Sequence, residues 1–209
     1  MVSEPKAVAR RRKLRDALIH AAERTIEKEG LRGMKARELA YKVGCAVGAI
    51  YNVFVDLDDL IFAVNALTLE QLEKTLTVAG ERSADPQADA TKALNHLALA
   101  YMDYAAANRR RWRALFDHRL AEDREVPTWY QANLHRLFVY IEEPLRRLVP
   151  GMEAQQRMQL ARSLFSAVHG VVLIGLEEKL QSIPLAVLRE QVTFMVEAFA
   201  RGLALQQAK

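Results

Sequence analysis

Apolar residues recur along most of this 209-residue chain at the three- and four-residue spacing of amphipathic helices, and nowhere at the alternating spacing of strands. A first helix is predicted to lead from the basic run Arg10–Arg15 and to stop at Gly30. Two short helices follow, and the remaining predicted helices cover about 56–79, 86–107, 110–120, 127–150, 153–180 and 184–206. The sequence therefore predicts an all-α fold of about nine helices.

The stretch from Met34 to Phe54 predicts two short helices separated by a tight turn. The first half carries apolar residues on one face and ends at Gly44, which can adopt the left-handed backbone that closes a helix. The second half places Ile50 and Phe54 on one face at helical spacing. A helix, a turn with glycine and a second helix form the pattern of a helix-turn-helix.

The composition is that of an ordinary globular protein, with 51% hydrophobic and 27% charged residues. No run of 18 or more uncharged apolar residues is present, so we expect neither a membrane span nor a membrane partner. The basic N-terminal end is not followed by an apolar run, which argues against a signal peptide. Cys45 is the single cysteine and cannot form an internal disulfide, which favours the reducing cytoplasm.

Positive charge is concentrated at the N-terminal end of the chain. Residues 1–55 hold twelve Lys or Arg and six Asp or Glu, a net charge of +6, whereas residues 56–209 hold eighteen and twenty, a net of −2. A small basic domain followed by a near-neutral body suggests that the N-terminal end binds a polyanion. We predict a domain boundary after residue 55 and a disordered arm over residues 1–7.

The helix-turn-helix stretch resembles the DNA-binding domain of the TetR family of one-component transcriptional regulators. The residues that follow the family's pattern are Gly30, Ala40, Gly44, Gly48, Ile50, Tyr51, Phe54, Asp59 and Leu60. The match covers residues 8–64, and the family's three DNA-binding helices followed by about six regulatory ones fit the whole chain. The resemblance implies a DNA-binding domain over 1–55 and a ligand-binding and dimerisation domain over 56–209.

The register of the second short helix turns five residues toward DNA, namely Ala46, Val47, Ala49, Tyr51 and Asn52. The family usually has Ser, Thr and Lys at the positions of Ala46, Ala49 and Leu57. Ala46 cannot cap the helix as Ser would, a loss of about 1 kcal/mol. We therefore expect bases to be read mainly through apolar contact with thymine methyl groups, supplemented by Tyr51 and Asn52.

Phosphate contacts are expected from basic residues that precede the second short helix, namely Arg10, Arg11, Arg12, Lys35 and Arg37. The alternative for the arginine run is a solubilising start to the first helix. A second basic cluster holds Arg109, Arg110, Arg111 and Arg113. That cluster is either a solvated helix face or an additional contact with DNA or with an anionic ligand.

Two C-terminal segments, Ala98–Phe116 and Ser163–Gly170, resemble a subgroup of the family with a Trp-His-Gly signature, with Phe165 at the position of the Trp. The residues predicted to line a ligand cavity are Tyr101, Trp112, Phe116, Phe138, Phe165 and His169. His169 would donate a hydrogen bond to the ligand. The alternative is that these aromatic residues and His169 belong to an ordinary helical core.

The sequence contains no glycine-rich phosphate loop, no nucleophile elbow and no His-x-x-x-His pair. The five histidines are not spaced with Cys or carboxylates as metal ligands would be. We therefore expect no enzymatic activity, no catalytic residues, no cofactor and no metal site.

The last two predicted helices, about 153–180 and 184–206, are apolar around more of their surface than the single stripe of a monomer's surface helix. This pattern predicts a homodimer that forms through these helices. With the resemblance, it predicts a repressor that binds double-stranded operator DNA as a dimer and is released by an unknown small molecule. The alternative is a helical ligand-binding or scaffold protein that has lost specific DNA binding, as the apolar reading helix suggests.

Overall fold

The structure is a computed structural model that describes residues 5–81, 89–120, 124–178 and 183–207. These residues form nine α-helices and no strand, which confirms the predicted all-α fold. The helices are α1 Lys6–Glu29, α2 Ala36–Val43, α3 Val47–Tyr51, α4 Leu57–Glu81, α5 Ala90–Ala107, α6 Arg109–Asp117, α7 Thr128–Leu148, α8 Ala154–Gly175 and α9 Leu185–Gln207. A short 3-10 turn, Leu31–Gly33, lies between α1 and α2.

Three helix boundaries fall where the local chemistry predicts them. Gly30 ends α1 with φ +69°, and Gly44 ends α2 in the left-handed region with φ +75°. The backbone N–H of Asp59 donates to the Asp56 carboxylate at 2.9 Å, so Asp56 caps the first turn of α4. The helices α2 and α3 therefore lie between two fixed helix ends, the end of α1 at Gly30 and the start of α4 that Asp56 caps.

Other boundaries differ from the predicted ones. The predicted arm over 1–7 is wrong for residues 6 and 7, because α1 begins at Lys6, where the Pro5 carbonyl accepts from the N–H groups of Val8 and Ala9. Residues 1–4 lie outside the described part of the chain, as do the predicted start of α5 near 86 and the predicted end of α8 near 180. In the described part, α8 ends at Gly175, which packs tightly against Leu188 of α9.

The contacts divide the chain into two compact units. Unit 1 is Met1–Glu70 with Asn108–Tyr130, and unit 2 is Gln71–Ala107 with Gln131–Lys209. The functional boundary after residue 55 stays a prediction, because a division by compactness does not test it. Unit 1 nevertheless contains α6, a helix that the sequence-based division assigns to the regulatory domain.

The core of unit 1 joins α1, α2, α3 and the first half of α4. Its fully buried members are Leu18, Ala22, Ile26, Leu39, Ile50, Leu60 and Val64. Each large apolar side chain removed from water in this way stabilises the fold by roughly 1.5–3 kcal/mol. Together they fix one side of α2 and of α3, and the opposite side of both helices faces outward.

Unit 2 is built around α5, α8 and α9. The buried apolar residues of these three helices include Leu94, Leu97, Met102, Leu164, Val172, Leu188, Val192 and Val196. A Cβ added at Gly175 would lie 2.4 Å from the Leu188 Cδ1 atom, so the close packing of α8 on α9 depends on this glycine. Within the same unit, the hydroxyl groups of Thr77 and Tyr140 lie 2.7 Å apart and join α4 to α7.

Candidate nucleic-acid interface

The turn between α2 and α3 is held by backbone hydrogen bonds. The N–H of Gly44 donates to the Ala40 carbonyl at 2.9 Å, and the N–H of Cys45 donates to the same oxygen at 3.0 Å. After the turn, the buried side chains of Ile50 and Phe54 anchor the inner side of α3. The five-residue helix α3 is therefore positioned by its turn and by its core residues, since it is too short to be stable by itself.

The outer side of α3 carries the residues predicted to read DNA. Ala46, Val47, Tyr51 and Asn52 are exposed, whereas Ala49 is half-buried. Ala46 occupies the N-cap position, and its side chain makes no capping hydrogen bond, as the sequence suggests. The exposed surface of α3 is therefore small, uncharged and largely apolar.

The predicted phosphate-binding residues lie on α1, on α2 and at the N-cap of α2. Arg10, Arg11, Arg12 and Arg37 are exposed. Lys35 is also exposed, and its Nζ atom lies 3.0 Å from a Glu38 oxygen; the hydrogen bond to Glu38 and the charge of Glu38 raise the pKa of Lys35. Lys35 therefore keeps its positive charge, but part of that charge is balanced within the protein.

Two exposed side chains beside the reading surface were not predicted. Tyr41 on α2 is 90% exposed, and Val55, just after α3, is 81% exposed. Tyr41 follows the buried Ala40, so helical periodicity places it on the outer face, and an aromatic residue there is the signal that could have identified it. Both residues are uncharged and open to solvent.

The residues of the second basic cluster lie on different faces of α6. Arg111 is buried, and its guanidinium lies 2.9 Å from a Glu23 oxygen and 3.1 Å from a Glu27 oxygen. Arg113 pairs with Asp117 on the exposed side of the same helix. Neither alternative raised for the cluster describes Arg111, which instead joins α6 to α1 within unit 1.

Four of the six residues predicted to line a ligand cavity lie together in unit 2. The Tyr101 hydroxyl is 2.7 Å from His169 Nδ1, the Phe165 ring stacks on the His169 ring at 5.6 Å, and Phe138 meets Phe165 edge-on at 5.6 Å. Burial lowers the pKa of His169, which favours its neutral form near pH 7. Two aromatic pairs and one polar pair thus form a single cluster.

The other two predicted cavity residues, Trp112 and Phe116, belong to unit 1. Their rings lie 5.6 Å apart, and Trp112 is almost completely buried. In the part of the chain that the structure describes, no three His, Cys, Asp or Glu side chains are grouped as metal ligands would be.

Residues 94–199 match the protein family described as tetracyclin repressor-like, C-terminal domain. The chain belongs to the TetR family. The C-terminal match and the helix-turn-helix stretch before it confirm the predicted family, and the Trp-His-Gly subgroup stays a prediction. No curated protein matches the sequence of this TetR-family protein.

Solved structures share the fold of this TetR-family protein. A protein of unknown function from Rhodococcus sp. RHA1 is 24% identical, with a TM-score of 0.71 over 91% of this chain and 95% of that chain. A TetR-family transcriptional regulator from Streptomyces coelicolor is 17% identical, with a TM-score of 0.63 over 98% of each chain. The TetR-family regulator PfmR from Thermus thermophilus is 17% identical, with a TM-score of 0.59 over 88% and 97%.

Proposed function

We propose that the protein is a transcriptional repressor that binds double-stranded operator DNA as a homodimer and is released by a small molecule. The observation that supports DNA binding best is the geometry of α2 and α3 in unit 1. A buried inner side fixes α3, its outer side is exposed, and α1 and α2 of the same unit carry exposed arginines. A helix presented in this way fits the major groove of B-form DNA.

The reading chemistry follows from the side chains on α3. Val47 and Ala49 offer methyl groups to the methyl of thymine, and the Asn52 amide can donate to and accept from adenine. Tyr51 is exposed and can contact a base or a phosphate oxygen. Because few cations lie close to α3, the phosphate contacts come mainly from Arg10, Arg37 and their neighbours.

The dimer is proposed from apolar surface that unit 2 leaves exposed. Phe194 on α9 is 75% exposed, and Ile174 on α8 and Leu205 on α9 are also exposed. By length and composition alone, α8 could cross a membrane, and only 28% of its most apolar window is buried. We assign this face to a second copy in a soluble, cytoplasmic protein, because the exposed side of α9 also carries charged residues such as Arg201.

The ligand site is proposed at the cluster of Tyr101, Phe138, Phe165 and His169. It combines flat apolar rings with a hydroxyl and a neutral imidazole, which suits a partly apolar ligand with a hydrogen-bonding group. Helix α4 begins in unit 1 and ends in unit 2, so a ligand that favours another setting of α4 would change the spacing of the reading helices. A coupling of about 1–3 kcal/mol would weaken DNA binding roughly 5- to 150-fold.

A gel shift with DNA from upstream of the protein's own gene tests the proposed DNA binding. We expect a complex at physiological salt, and we expect Val47→Glu to weaken it at least about tenfold, because the new charge faces phosphates. The matched control is Val139→Glu, which makes the same exchange at an exposed position of α7. The proposal fails if no duplex competes for the protein, and the interface assignment fails if both variants bind equally.

A helical ligand-binding or scaffold protein without operator binding is the second candidate. It is favoured by one observation, the complete lack of charged residues from Val43 to Val55. Under this alternative, the chain would form dimers and bind a ligand, and no duplex would be retained at physiological salt.

A further inference from the structure

Three carboxylates follow the reading helix directly, in a place where DNA would approach. From Val43 to Asp59 the sequence has three acidic residues, Asp56, Asp58 and Asp59, and no basic one. We call these three the acidic patch. The N–H of Val55 donates to the Asp59 carboxylate at 3.1 Å, so the patch begins where the exposed segment after α3 ends.

Negative charge at this place opposes the proposed function. Charges within a Debye length, about 8 Å at physiological salt, act on one another with little screening. The side chains of the patch are all partly exposed, so their charge reaches the solvent beside α3. Left unbalanced, the acidic patch would repel the phosphates that flank the major groove.

Two side chains that follow α6 contact these carboxylates, and one of them, Arg124, carries a positive charge that offsets part of theirs. Arg124 contacts the carboxylates of both Asp56 and Asp59, with its Nη2 atom 2.6 Å from Asp59 Oδ1. The His118 Nε2 atom lies 2.9 Å from Asp58 Oδ1. All five residues belong to unit 1, although about 60 positions separate the partners in the sequence.

Helix α6, which precedes Arg124 in the chain, is held in unit 1 by contacts that do not involve Arg124. Asn65 donates to the carbonyl oxygen of Ala114 at 3.2 Å, and the buried Arg111 holds α6 to α1. Arg124 itself is 24% exposed, and ion pairs that are partly exposed contribute little to stability. Its main consequence is therefore electrostatic.

We infer that Arg124 offsets part of the negative charge of the acidic patch so that duplex DNA can approach α3, which makes Arg124 part of the DNA-binding apparatus. Arg124 is a positioning residue for this binding and need not contact DNA itself. The inference rests on the proposed function, because only a polyanionic partner makes the charge of the patch matter.

The test first selects a duplex that the wild-type chain retains from a random pool. The affinity of each full-length variant for this duplex is then measured. Arg124→Gln is expected to weaken binding about three- to ten-fold at low salt, and the loss should shrink as salt is raised. The matched control, Arg136→Gln, removes the same charge from an exposed ion pair with Glu73 in unit 2 and should bind within twofold of wild type.

A second pair of variants separates charge from structure. Asn keeps a hydrogen-bond acceptor at each position of the patch, so Asp56→Asn with Asp59→Asn should bind DNA more tightly than wild type. The triple variant, which adds Arg124→Gln to the double variant, should not show the loss of Arg124→Gln alone. It should bind DNA at least as tightly as wild type. Thermal unfolding of each variant checks that it is folded.

Two results would overturn the inference. One is unchanged binding by Arg124→Gln, and the other is a combined variant as weak as Arg124→Gln, which would mean that only the geometry of the contact matters. A wild-type chain that retains no duplex would instead refute the proposed function. The double Asn variant keeps the test decisive if Arg124→Gln does not fold, because a purely structural role predicts weaker rather than tighter binding.

Discussion

Gly48 lies in α3 at a position where its own fold gives no reason for a glycine. It does not have a positive φ, and a Cβ built there meets no atom within 4 Å. Glycine inside a helix costs roughly 0.5–1 kcal/mol relative to alanine. The position therefore fits a surface that another molecule approaches closely, and DNA is the partner proposed for α3.

We expect Gly48→Ala to raise the free energy of unfolding by about 0.5 kcal/mol and to weaken DNA binding. Gly44→Ala is the contrasting variant, because Gly44 has φ +75° and alanine there is strained, so its stability should fall. Chemical denaturation and DNA titration on the same samples measure both effects. Unchanged DNA affinity in Gly48→Ala would contradict a close approach at this residue.

His169 gives the protein a pH dependence that can be tested at the residue scale. Burial lowers its folded pKa below the ordinary value of 6.5, so the unfolded chain binds the proton more readily. The stability that comes from the neutral form is complete above the unfolded pKa of 6.5 and is lost as pH falls below that value through the lowered folded pKa. The Tyr101 hydroxyl, 2.7 Å away, favours the neutral ring further if it donates to Nδ1.

We expect the melting temperature to fall between about pH 7.5 and about pH 5.5, and we expect this fall to be smaller in His169→Gln. His135→Gln, at an exposed position on α7, serves as the control and should keep the wild-type pH dependence. Thermal melts of the three proteins across this range make the comparison. Parallel curves for wild type and His169→Gln would show that His169 does not set the dependence.

At the scale of single elements, α6 shows that basic residues adjacent in the sequence need not lie on the same face of a helix. Successive residues on a helix point about 100° apart, so the run Arg109–Arg113 surrounds its helix. Arg111 therefore points inward at 7% exposure and meets Glu23 and Glu27, while Arg113 stays near the surface. The carboxylate partners lie more than 80 positions away, and no local pattern identifies them.

We expect Arg111→Met to reduce the free energy of unfolding by about 2–3 kcal/mol, because it leaves Glu23 partly buried without its cation. Arg113→Met should change it by less than about 0.5 kcal/mol, since its pair with Asp117 is exposed. Urea denaturation of both variants is the measurement. Equal effects would mean that the Arg111 contacts do not hold α6 to α1.

Local chemistry predicted most helix boundaries because their causes lie within a few residues. Gly30 and Gly44 end helices through their own backbone freedom, and Asp56 caps α4 three residues ahead. The family was recognisable for the same reason, since its motif is contiguous. The contacts of Arg124 with Asp56 and of the Tyr101 hydroxyl with His169 Nδ1 depend on packing between distant segments and could not be predicted, although Tyr101 and His169 were both among the predicted cavity residues.

At the scale of the whole molecule, the proposed dimer accounts for the apolar surface that α8 and α9 expose. A solitary soluble chain rarely leaves several large apolar side chains such as Phe194 and Leu205 this open on one helix. A two-fold pairing of these helices would bury them and would fix the separation of the two reading helices. Dimerisation and DNA binding are therefore coupled in the proposal.

We expect Phe194→Glu to convert the dimer to a monomer at micromolar concentration, because pairing would bury two unpaired charges. Val139→Glu, the same kind of change on α7, should leave the dimer intact. Sedimentation velocity distinguishes the two. A wild-type chain that sediments as a monomer at this concentration would refute the assigned interface.

The central proposal is tested most directly by a selection from random DNA. The wild-type chain is mixed with a pool of random duplexes at physiological salt, and the duplexes that it retains are sequenced. A dimer with two reading helices about 34 Å apart should enrich pseudo-palindromes whose half-sites are centred about 10 base pairs apart. The uncharged face of α3 should favour thymine-rich half-sites. A retained pool with no enriched sequence, or no retention at all, would contradict the proposed operator-binding function.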